Sequence, residues 1–303
     1  MKLLITGCRG FLGGSLGRYA TAAGHAVLGL GRGSRPEPDW PGAYHNVELA
    51  TDELADLVAD FAPEAVLHAA GTASVADSFS DPQHDFHASL LTWHNLLDSV
   101  RRSGVRPRVL FPSSAAVYGN AVSLPIAETA AVRPISPYGF HKAACELLAR
   151  EYSECFGLSV VVCRMFSTFG TRQHRLLVWE LFQKLSQAGD EVWLDGSGAE
   201  TRDYLSVEDV ATVMLHLAGA TGPESGGTVV NVASGHAIRV DELARCMAEL
   251  TNCTRPIRYR QRQRTGDPQH WQADIARLQG LVPGWNPTPI EQALSHCIGA
   301  WQG

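Results

Sequence analysis

The chain has 303 residues, of which 45% are hydrophobic and 18% are charged, and its formal net charge is −6. This length and composition allow one large domain with a smaller lobe, and the acidic balance gives no overall attraction to nucleic acid or to an anionic membrane. No basic segment with an apolar run precedes the first predicted strand, and no apolar stretch reaches membrane-spanning length. We therefore expect a cytoplasmic protein whose partners include neither nucleic acid nor membrane.

The cysteines and histidines form no pattern typical of a metal site. Seven cysteines are scattered along the chain without a Cys-X-X-Cys pair, and the twelve histidines lack a metal-binding arrangement. An odd, scattered set of cysteines argues against a disulfide framework and against a zinc site. We expect no bound metal.

The first predicted elements are a strand, a glycine-rich turn and a helix. An apolar strand at residues 2–6 leads directly into this turn, and a second strand at 26–30 follows at the distance of a βαβ unit. Glycines let the backbone turn tightly and approach a pyrophosphate, which the helix N-terminus then faces. An ordinary βα turn is the alternative. The predicted cofactor contacts here are Gly7, Gly10, Phe11, Leu12 and Gly13.

The residues after the second strand bear on the choice of cofactor. An NAD-binding protein usually places an acidic residue there for the ribose hydroxyls, whereas this chain has Gly31-Arg32-Gly33-Ser34-Arg35. A guanidinium such as that of Arg32 can hold a 2′-phosphate. The sequence therefore favours NADP(H), with NAD(H) possible and an exposed, uninvolved arginine as the alternative.

Short apolar runs continue to alternate with helical segments. Runs at 65–70, 109–111 and 160–164 predict further strands of an α/β, doubly wound parallel (Rossmann) sheet within a dinucleotide-binding domain at 1–166. The turn-rich remainder, 167–303, is expected to form mainly a smaller C-terminal substrate-binding lobe, from which about 205–235 returns to the first domain.

Three residues predict proton-transfer chemistry: Ser114, Tyr138 and Lys142. A tyrosine is a poor base at neutral pH unless a nearby cation stabilises its phenolate. Apolar residues at intervals of three and four predict a helix over 138–155, and residues four apart share a helix face, so Lys142 would lie beside Tyr138. Ser114 would orient the reacting oxygen. A chance Tyr-X-X-X-Lys spacing is the alternative.

Six segments together resemble the extended short-chain dehydrogenase/reductase family, specifically its nucleotide-sugar epimerase and reductase branch. They are Thr-Gly-Cys-Arg-Gly-Phe-Leu-Gly (6–13), His-Ala-Ala (68–70), Ser-Ser-Ala-Ala-Val-Tyr-Gly (113–119), Tyr-Gly-Phe-His-Lys (138–142), Thr-Arg-Asp-Tyr (201–204) and Gly-Asp-Pro-Gln-His-Trp-Gln-Ala-Asp (266–274). The resemblance covers nearly the whole chain.

The resemblance implies further cofactor contacts. It places Glu48 and Leu49 at the adenine, and His68, Ala69 and Ala70 along the pyrophosphate and ribose, with ordinary loop and strand-end packing as the alternative. It also implies that Lys142 holds the nicotinamide ribose.

The resemblance also implies a nucleotide-diphosphate-sugar site. Arg202 and Arg264 would hold the diphosphate, because a guanidinium binds phosphate oxygens bidentately. Arg264 could instead belong to the solvated face of an edge strand. Ser167 stands where the family usually has a Phe-Asn substrate contact, so the chain departs from the family pattern at this candidate substrate residue. Trp271 would bound the sugar pocket and leave little room for an N-acetyl group, with core packing as its alternative.

The reaction implied is hydride transfer at sugar C4, with Tyr138 exchanging the hydroxyl proton. Only alanines lie between Ser114 and Val117, where related 4,6-dehydratases carry an Asp-Glu pair, so simple dehydration is disfavoured. Arg32 slightly favours an NADPH-dependent 4-ketoreductase. A 4-epimerase that retains NAD(P) is the alternative, and a non-catalytic dinucleotide-binding sensor is a weaker one. A homodimer through the helices at about 82–103 and 138–156 is implied by the resemblance alone.

Overall fold

A parallel sheet forms the centre of the computed structural model, which describes residues 1–220, 227–262, 266 and 268–303. The strands of the described chain are β1 (Lys2–Thr6), β2 (Ala26–Gly31), β3 (Ala43–Asn46), β4 (Ala65–His68), β5 (Arg108–Ser114), β6 (Ser159–Met165), β7 (Ser167–Phe169), β8 (Val192–Leu194), β9 (Thr201–Ser206), β10 (Thr228–Val232), β11 (Ala237–Arg239) and β12 (Ile257–Tyr259).

Helices cover both faces of this sheet and build the smaller lobe. They are α1 (Phe11–Ala22), α2 (Ala55–Phe61), α3 (Val75–Ser80), α4 (Pro82–Phe86), α5 (Thr92–Arg102), α6 (Pro137–Phe156), α7 (Leu176–Ser186), α8 (Val207–Gly219), α9 (Val240–Leu250), α10 (Ala276–Leu281) and α11 (Ile290–Gln302). A π-helical turn (His87–Leu91) joins α4 to α5, and a 3₁₀ turn (Ala115–Tyr118) follows β5. Among the helices that the structure describes, none combines the length and the apolar character needed to cross a bilayer.

The central sheet has seven strands in the order β10-β6-β5-β4-β1-β2-β3, and all neighbours run parallel. Strands β2 and β3 lie on one side of β1, and the chain then crosses to form β4 on the other side. The strand order therefore reverses between β1 and β4. In such sheets ligands bind beyond the carboxyl ends of the strands at the reversal. The doubly wound α/β prediction is therefore confirmed, and we call the space beyond the carboxyl ends of β1, β4 and β5 the site crevice.

The strands form because their side chains are buried on both faces, which favours continuous apolar runs over alternation. In β1, Leu3 and Ile5 pack into one core cluster and Leu4 into another on the opposite face. Helices α1 and α8 cover the first face, and α5 and α6 cover the second. The sheet is thereby fixed between two layers of helices, with its carboxyl edge left for the site.

The smaller lobe has its own apolar cluster, supplied by β8, β9, α7, α9 and α11. Two small sheets accompany it, one of β11, β9 and β7 and one of β12 and β8. From the same half of the chain, α8 packs against α1 and β10 pairs with β6 in the central sheet.

Candidate functional site

The glycine turn after β1 leaves room for nothing larger than hydrogen at two positions. Gly7 has φ +65, and a Cβ there would lie 2.6 Å from the backbone of Ala69 and Ala70. A Cβ on Gly13 would lie 2.4 Å from the carbonyl oxygen of Gly7. Gly10 donates to that same carbonyl at 2.9 Å and precedes the first turn of α1, which carries Phe11 and Leu12. The helix N-terminus and the turn thus meet the end of β4 at the site crevice, which fits a pyrophosphate.

His68, at the end of β4, is buried in the core. Its Nδ1 is hydrogen-bonded to Thr6 Oγ1 at 2.9 Å, and its ring lies 5.0 Å from that of Trp93 and 6.2 Å from that of Phe111. Burial, with a smaller contribution from the charge of Lys142, lowers the pKa of His68 to about 3. The imidazole is therefore neutral at neutral pH, and its role in the fold is to pack the strand end that carries Ala69 and Ala70.

Tyr138 and Lys142 lie side by side on the buried face of α6. They are 8% and 6% exposed, and Lys142 Nζ lies 5.7 Å from the centre of the Tyr138 ring. The lysine donates to the carbonyl of Pro112 at 2.9 Å, and Ser136 caps the helix just before them by accepting from the Gly139 amide at 3.2 Å. The predicted helix is confirmed, and it places the cation beside the phenol at the carboxyl end of β5.

Ser114 is the last residue of β5 and is half-buried. Its Oγ accepts a hydrogen bond from the Ala116 amide at 3.1 Å and so caps the 3₁₀ turn. Two residues earlier in the same strand, Pro112 holds Lys142. Strand β5 therefore supports both polar side chains at the same edge of the sheet.

Three of the four predicted substrate residues, Ser167, Arg202 and Trp271, lie where the small lobe meets this edge. Arg202 in β9 donates to the Thr201 carbonyl at 2.8 Å, and its guanidinium lies 5.4 Å from the centre of the Trp271 ring. Trp271 is buried and donates to the Gly119 carbonyl at 3.2 Å, which links it to the turn after Ser114. Half-buried Ser167 begins β7 beside β9. Arg264 falls outside the described residues.

The end of β2 differs from the sequence interpretation in one respect. Arg32 is exposed, and Arg9 of the glycine turn donates to its carbonyl at 2.6 Å and to the Glu37 carboxylate at 3.1 Å. The interpretation that no carboxylate lies here is therefore wrong, because the chain folds back and returns Glu37 to this edge. Beyond β3, Glu48 is exposed and Leu49 is buried.

Comparisons with known proteins show which family this chain belongs to. The family model described as the NAD dependent epimerase/dehydratase family matches residues 3–233. The chain belongs to this family. It is 30% identical over 298 residues to the UDP-glucose 4-epimerase of Mycolicibacterium smegmatis, which covers 95% of this chain and 94% of the relative. It is also 30% identical over 311 residues to the GDP-6-deoxy-D-mannose reductase of Pseudomonas aeruginosa, covering 99% and 97%.

Solved structures of similar enzymes extend the family match to the whole fold. MoeE5 in complex with UDP-glucose and NAD is similar with a TM-score of 0.89, 27% identity and coverage of 100% of this chain and 99% of that one. The UDP-glucose 4-epimerase of Thermus thermophilus in complex with NAD has a TM-score of 0.87 and 26% identity, with the same coverage of both chains. The chain is thus an enzyme of the NAD-dependent nucleotide-sugar epimerase, dehydratase and reductase family.

One half-buried group in this family member was not predicted from the sequence. Glu146, four residues after Lys142 on α6, accepts from Arg164 at 2.7 Å and from Ser113 at 2.5 Å, and Arg164 also donates to Tyr118 at 2.9 Å. Burial alone would lower the pKa of Arg164, but the hydrogen bond and charge of Glu146 raise it above its ordinary value. For Tyr118, by contrast, burial itself raises the pKa, to about 12. This network ties α6, β5 and β6 together next to the site, and its only sequence signal is a glutamate on the face of Lys142.

Proposed function

We propose that this enzyme is a nucleotide-sugar 4-epimerase that retains NAD and acts at C4 of the hexose. The observation that carries the proposal is the buried Tyr138–Lys142 pair at the carboxyl end of β5, beside the site crevice. The crevice fits a dinucleotide, because the turn can pack this tightly only with glycines: a Cβ would lie 2.6 Å from backbone at Gly7 and 2.4 Å from backbone at Gly13. The tight turn brings the N-terminus of α1 to the crevice, where its amides can face a pyrophosphate. When bound, NAD would supply hydride acceptance and donation at the sugar carbon.

The side chains of the site would transfer the hydroxyl proton of the sugar. Tyr138 would take it from the sugar hydroxyl and later return it, and the positive charge of Lys142 would stabilise the developing phenolate. Ser114 uses its Oγ to accept from the Ala116 amide, which leaves its hydroxyl proton to donate to the reacting oxygen. Lys142 would also hold the nicotinamide ribose. His68, Ala69 and Ala70 would line the pyrophosphate and ribose of the cofactor.

Substrate binding is proposed for the residues of the small lobe. Arg202 would hold the diphosphate, and Arg264 would be its second cation, as the resemblance implies. Trp271, fixed by Gly119 and by its contact with Arg202, would bound the sugar. Ser167 would complete the pocket. Binding energy at the diphosphate would position the sugar carbon for the reaction.

Two features favour an epimerase with NAD. The relatives include UDP-glucose 4-epimerases, and similar structures hold NAD. In addition, the Glu37 carboxylate beside Arg9 would repel a 2′-phosphate. The second candidate, an NADPH-dependent 4-ketoreductase, is supported by exposed Arg32 and by the reductase relative. Dehydration has no support near Ser114, because the next two residues are buried alanines.

The test is to identify the bound cofactor and then the reaction. Mass spectrometry of the cofactor released by denaturation should show NAD, and UDP-glucose and UDP-galactose should interconvert without net oxidation or reduction of added cofactor. Stoichiometric consumption of NADPH with a 4-keto nucleotide sugar would establish the reductase instead. No turnover of either sugar class with NAD(H) or NADP(H) would contradict both candidates.

A homodimer is part of the same proposal. Phe140 and Leu147 on α6 are 59% and 66% exposed, and Phe86 and Leu91 at the two ends of the π-helical turn are exposed as well. Burying such side chains against a second copy would remove apolar area from water. Light scattering should give twice the chain mass, and Leu147→Glu should give monomers. A monomeric parent enzyme would contradict this part of the proposal.

A further inference from the structure

The loop that follows β4 is packed between the glycine turn and the helical segment that runs from α4 to α5. It continues directly from Ala69 and Ala70, whose backbone lies 2.6 Å from the place that a Cβ on Gly7 would take. Gly71 has φ +124, and a Cβ there would lie 3.5 Å from the Ala88 carbonyl of the π-helical turn. The loop at 71–73 therefore lies between the turn that would hold the pyrophosphate and the helical segment that contains Asp85.

Asp85 bridges this loop to the helix that carries Tyr138 and Lys142. It is only 2% exposed, and its carboxylate accepts from the Thr72 hydroxyl with one oxygen and from His141 Nδ1 with the other. Because an ionised carboxylate can only accept, His141 carries its proton on Nδ1.

Thr72 is held from a second side as well. Its Oγ lies 3.3 Å from Ser89 Oγ in the π-helical turn. Since the single hydroxyl proton of Thr72 goes to Asp85, Ser89 must donate in this second bond. The loop is thus tied by one side chain to two helical segments.

His141 brings the bridge into α6 itself. It is three residues after Tyr138 and one before Lys142, and its ring meets that of Phe86 edge-on at 5.6 Å between centres. A buried carboxylate is tolerated only when it is well paired, and it is costly when a partner is lost. The chain therefore keeps Asp85, Thr72 and His141 as one unit.

We infer that Asp85 and His141 are positioning residues, which set the loop at 71–73 against α6 and so fix the cofactor-side wall of the site next to Tyr138. This inference rests on the proposed function for its kinetic consequence. Neither residue is placed at the substrate diphosphate, whose proposed partner Arg202 lies in the small lobe. Loss of the bridge should therefore lower kcat and leave KM for the nucleotide sugar nearly unchanged.

The test compares Thr72→Val with Thr72→Ser. The valine keeps the shape and removes the hydroxyl, and kcat should fall by about tenfold, because a hydrogen bond to a charged group is lost. Serine should restore most of the loss. Thr92→Val is the matched control, since the Thr92 hydroxyl donates at 2.7 Å to the Ala88 carbonyl and makes no contact with Asp85 in the described structure.

A second pair of variants tests the other end of the bridge. His141→Asn keeps a donor near the position of Nδ1, whereas His141→Leu removes it. The double variant Thr72→Val/His141→Leu should lose less than the product of the two single losses, because both act through Asp85. Independent, multiplicative losses would overturn the inference.

Amide hydrogen exchange supplies a readout that needs no turnover. Thr72→Val and His141→Leu should speed exchange at residues 70–74 and in the first turn of α6, and Thr92→Val should not. The inference is overturned if exchange at these sites matches the wild type, or if Thr72→Val lowers kcat no more than Thr92→Val does. An inactive wild type would contradict the proposed function, while the exchange result would still decide the bridge.

Discussion

Replacing Lys142 by methionine removes the charge beside Tyr138 and keeps most of the side-chain volume. The Nζ atom lies 5.7 Å from the centre of the tyrosine ring. At that separation, and with an effective dielectric constant of about 20, a unit positive charge stabilises a unit negative charge by about 3 kcal/mol. Losing this stabilisation should lower kcat by roughly 100-fold.

The assay is sugar interconversion at saturating NAD and nucleotide sugar, so that weaker cofactor binding does not account for the loss. Lys184→Met is the matched control, because Lys184 also donates to a backbone carbonyl, that of Trp193 at 2.9 Å, but lies in the small lobe. Circular dichroism should show that Lys142→Met is folded, although the Pro112 carbonyl loses its donor. A Lys142→Met enzyme that keeps more than about a third of the parent kcat would refute the electrostatic reasoning.

Four further changes test other parts of the structure. Gly13→Ala should abolish copurification of the cofactor, because the new Cβ would lie 2.4 Å from a carbonyl oxygen of the glycine turn. Glu146→Ala should lower the free energy of unfolding in urea by about 3–5 kcal/mol, since Arg164 is left buried and charged. Glu37→Gln should raise the affinity for NADP(H) relative to NAD(H) in a fluorescence titration, because a repelling charge is removed. The pKa of His68 is lowered to about 3 in the folded protein, so as pH falls the imidazole is protonated in the unfolded chain before it is protonated in the folded one. The free energy of unfolding should therefore drop by about 2 kcal/mol from pH 7 to pH 5. The drop should be smaller in His68→Gln.

Each of these changes has an outcome that would contradict its reasoning. For Gly13→Ala, it is a full complement of bound cofactor. For Glu146→Ala, it is a loss under about 1 kcal/mol, which is the size of a surface ion pair. For Glu37→Gln, it is an unchanged ratio of the two affinities. For His68→Gln, it is the same pH dependence of stability as in the parent protein.

The sheet could be predicted from sequence because its strands are buried on both faces. Continuous apolar runs predicted β1, β2, β4, β5 and β6, and the three-and-four periodicity predicted α6, observed at Pro137–Phe156. Edge strand β3 (Ala43–Asn46) escaped, because it is mostly exposed and has no apolar run. Burial of apolar side chains is thus the signal that sequence carries best.

The candidate site was predicted in its local parts and missed in its long-range ones. Tyr138 and Lys142 lie one helical turn apart, so spacing alone brings them together. Glu37 returns to Arg9 from 28 residues away, and Asp85 meets His141 across 56 residues. Such contacts depend on how loops and helices pack, and no local pattern of charge or hydrophobicity encodes them.

The most direct measurement of the central claim follows deuterium placed at C4 of UDP-glucose. If hydride leaves and returns at that carbon with Tyr138 moving only the hydroxyl proton, the UDP-galactose formed should keep deuterium at C4, and Tyr138→Phe should form none. Loss of the deuterium to solvent, or equal turnover by Tyr138→Phe, would contradict the proposed hydride transfer at this site.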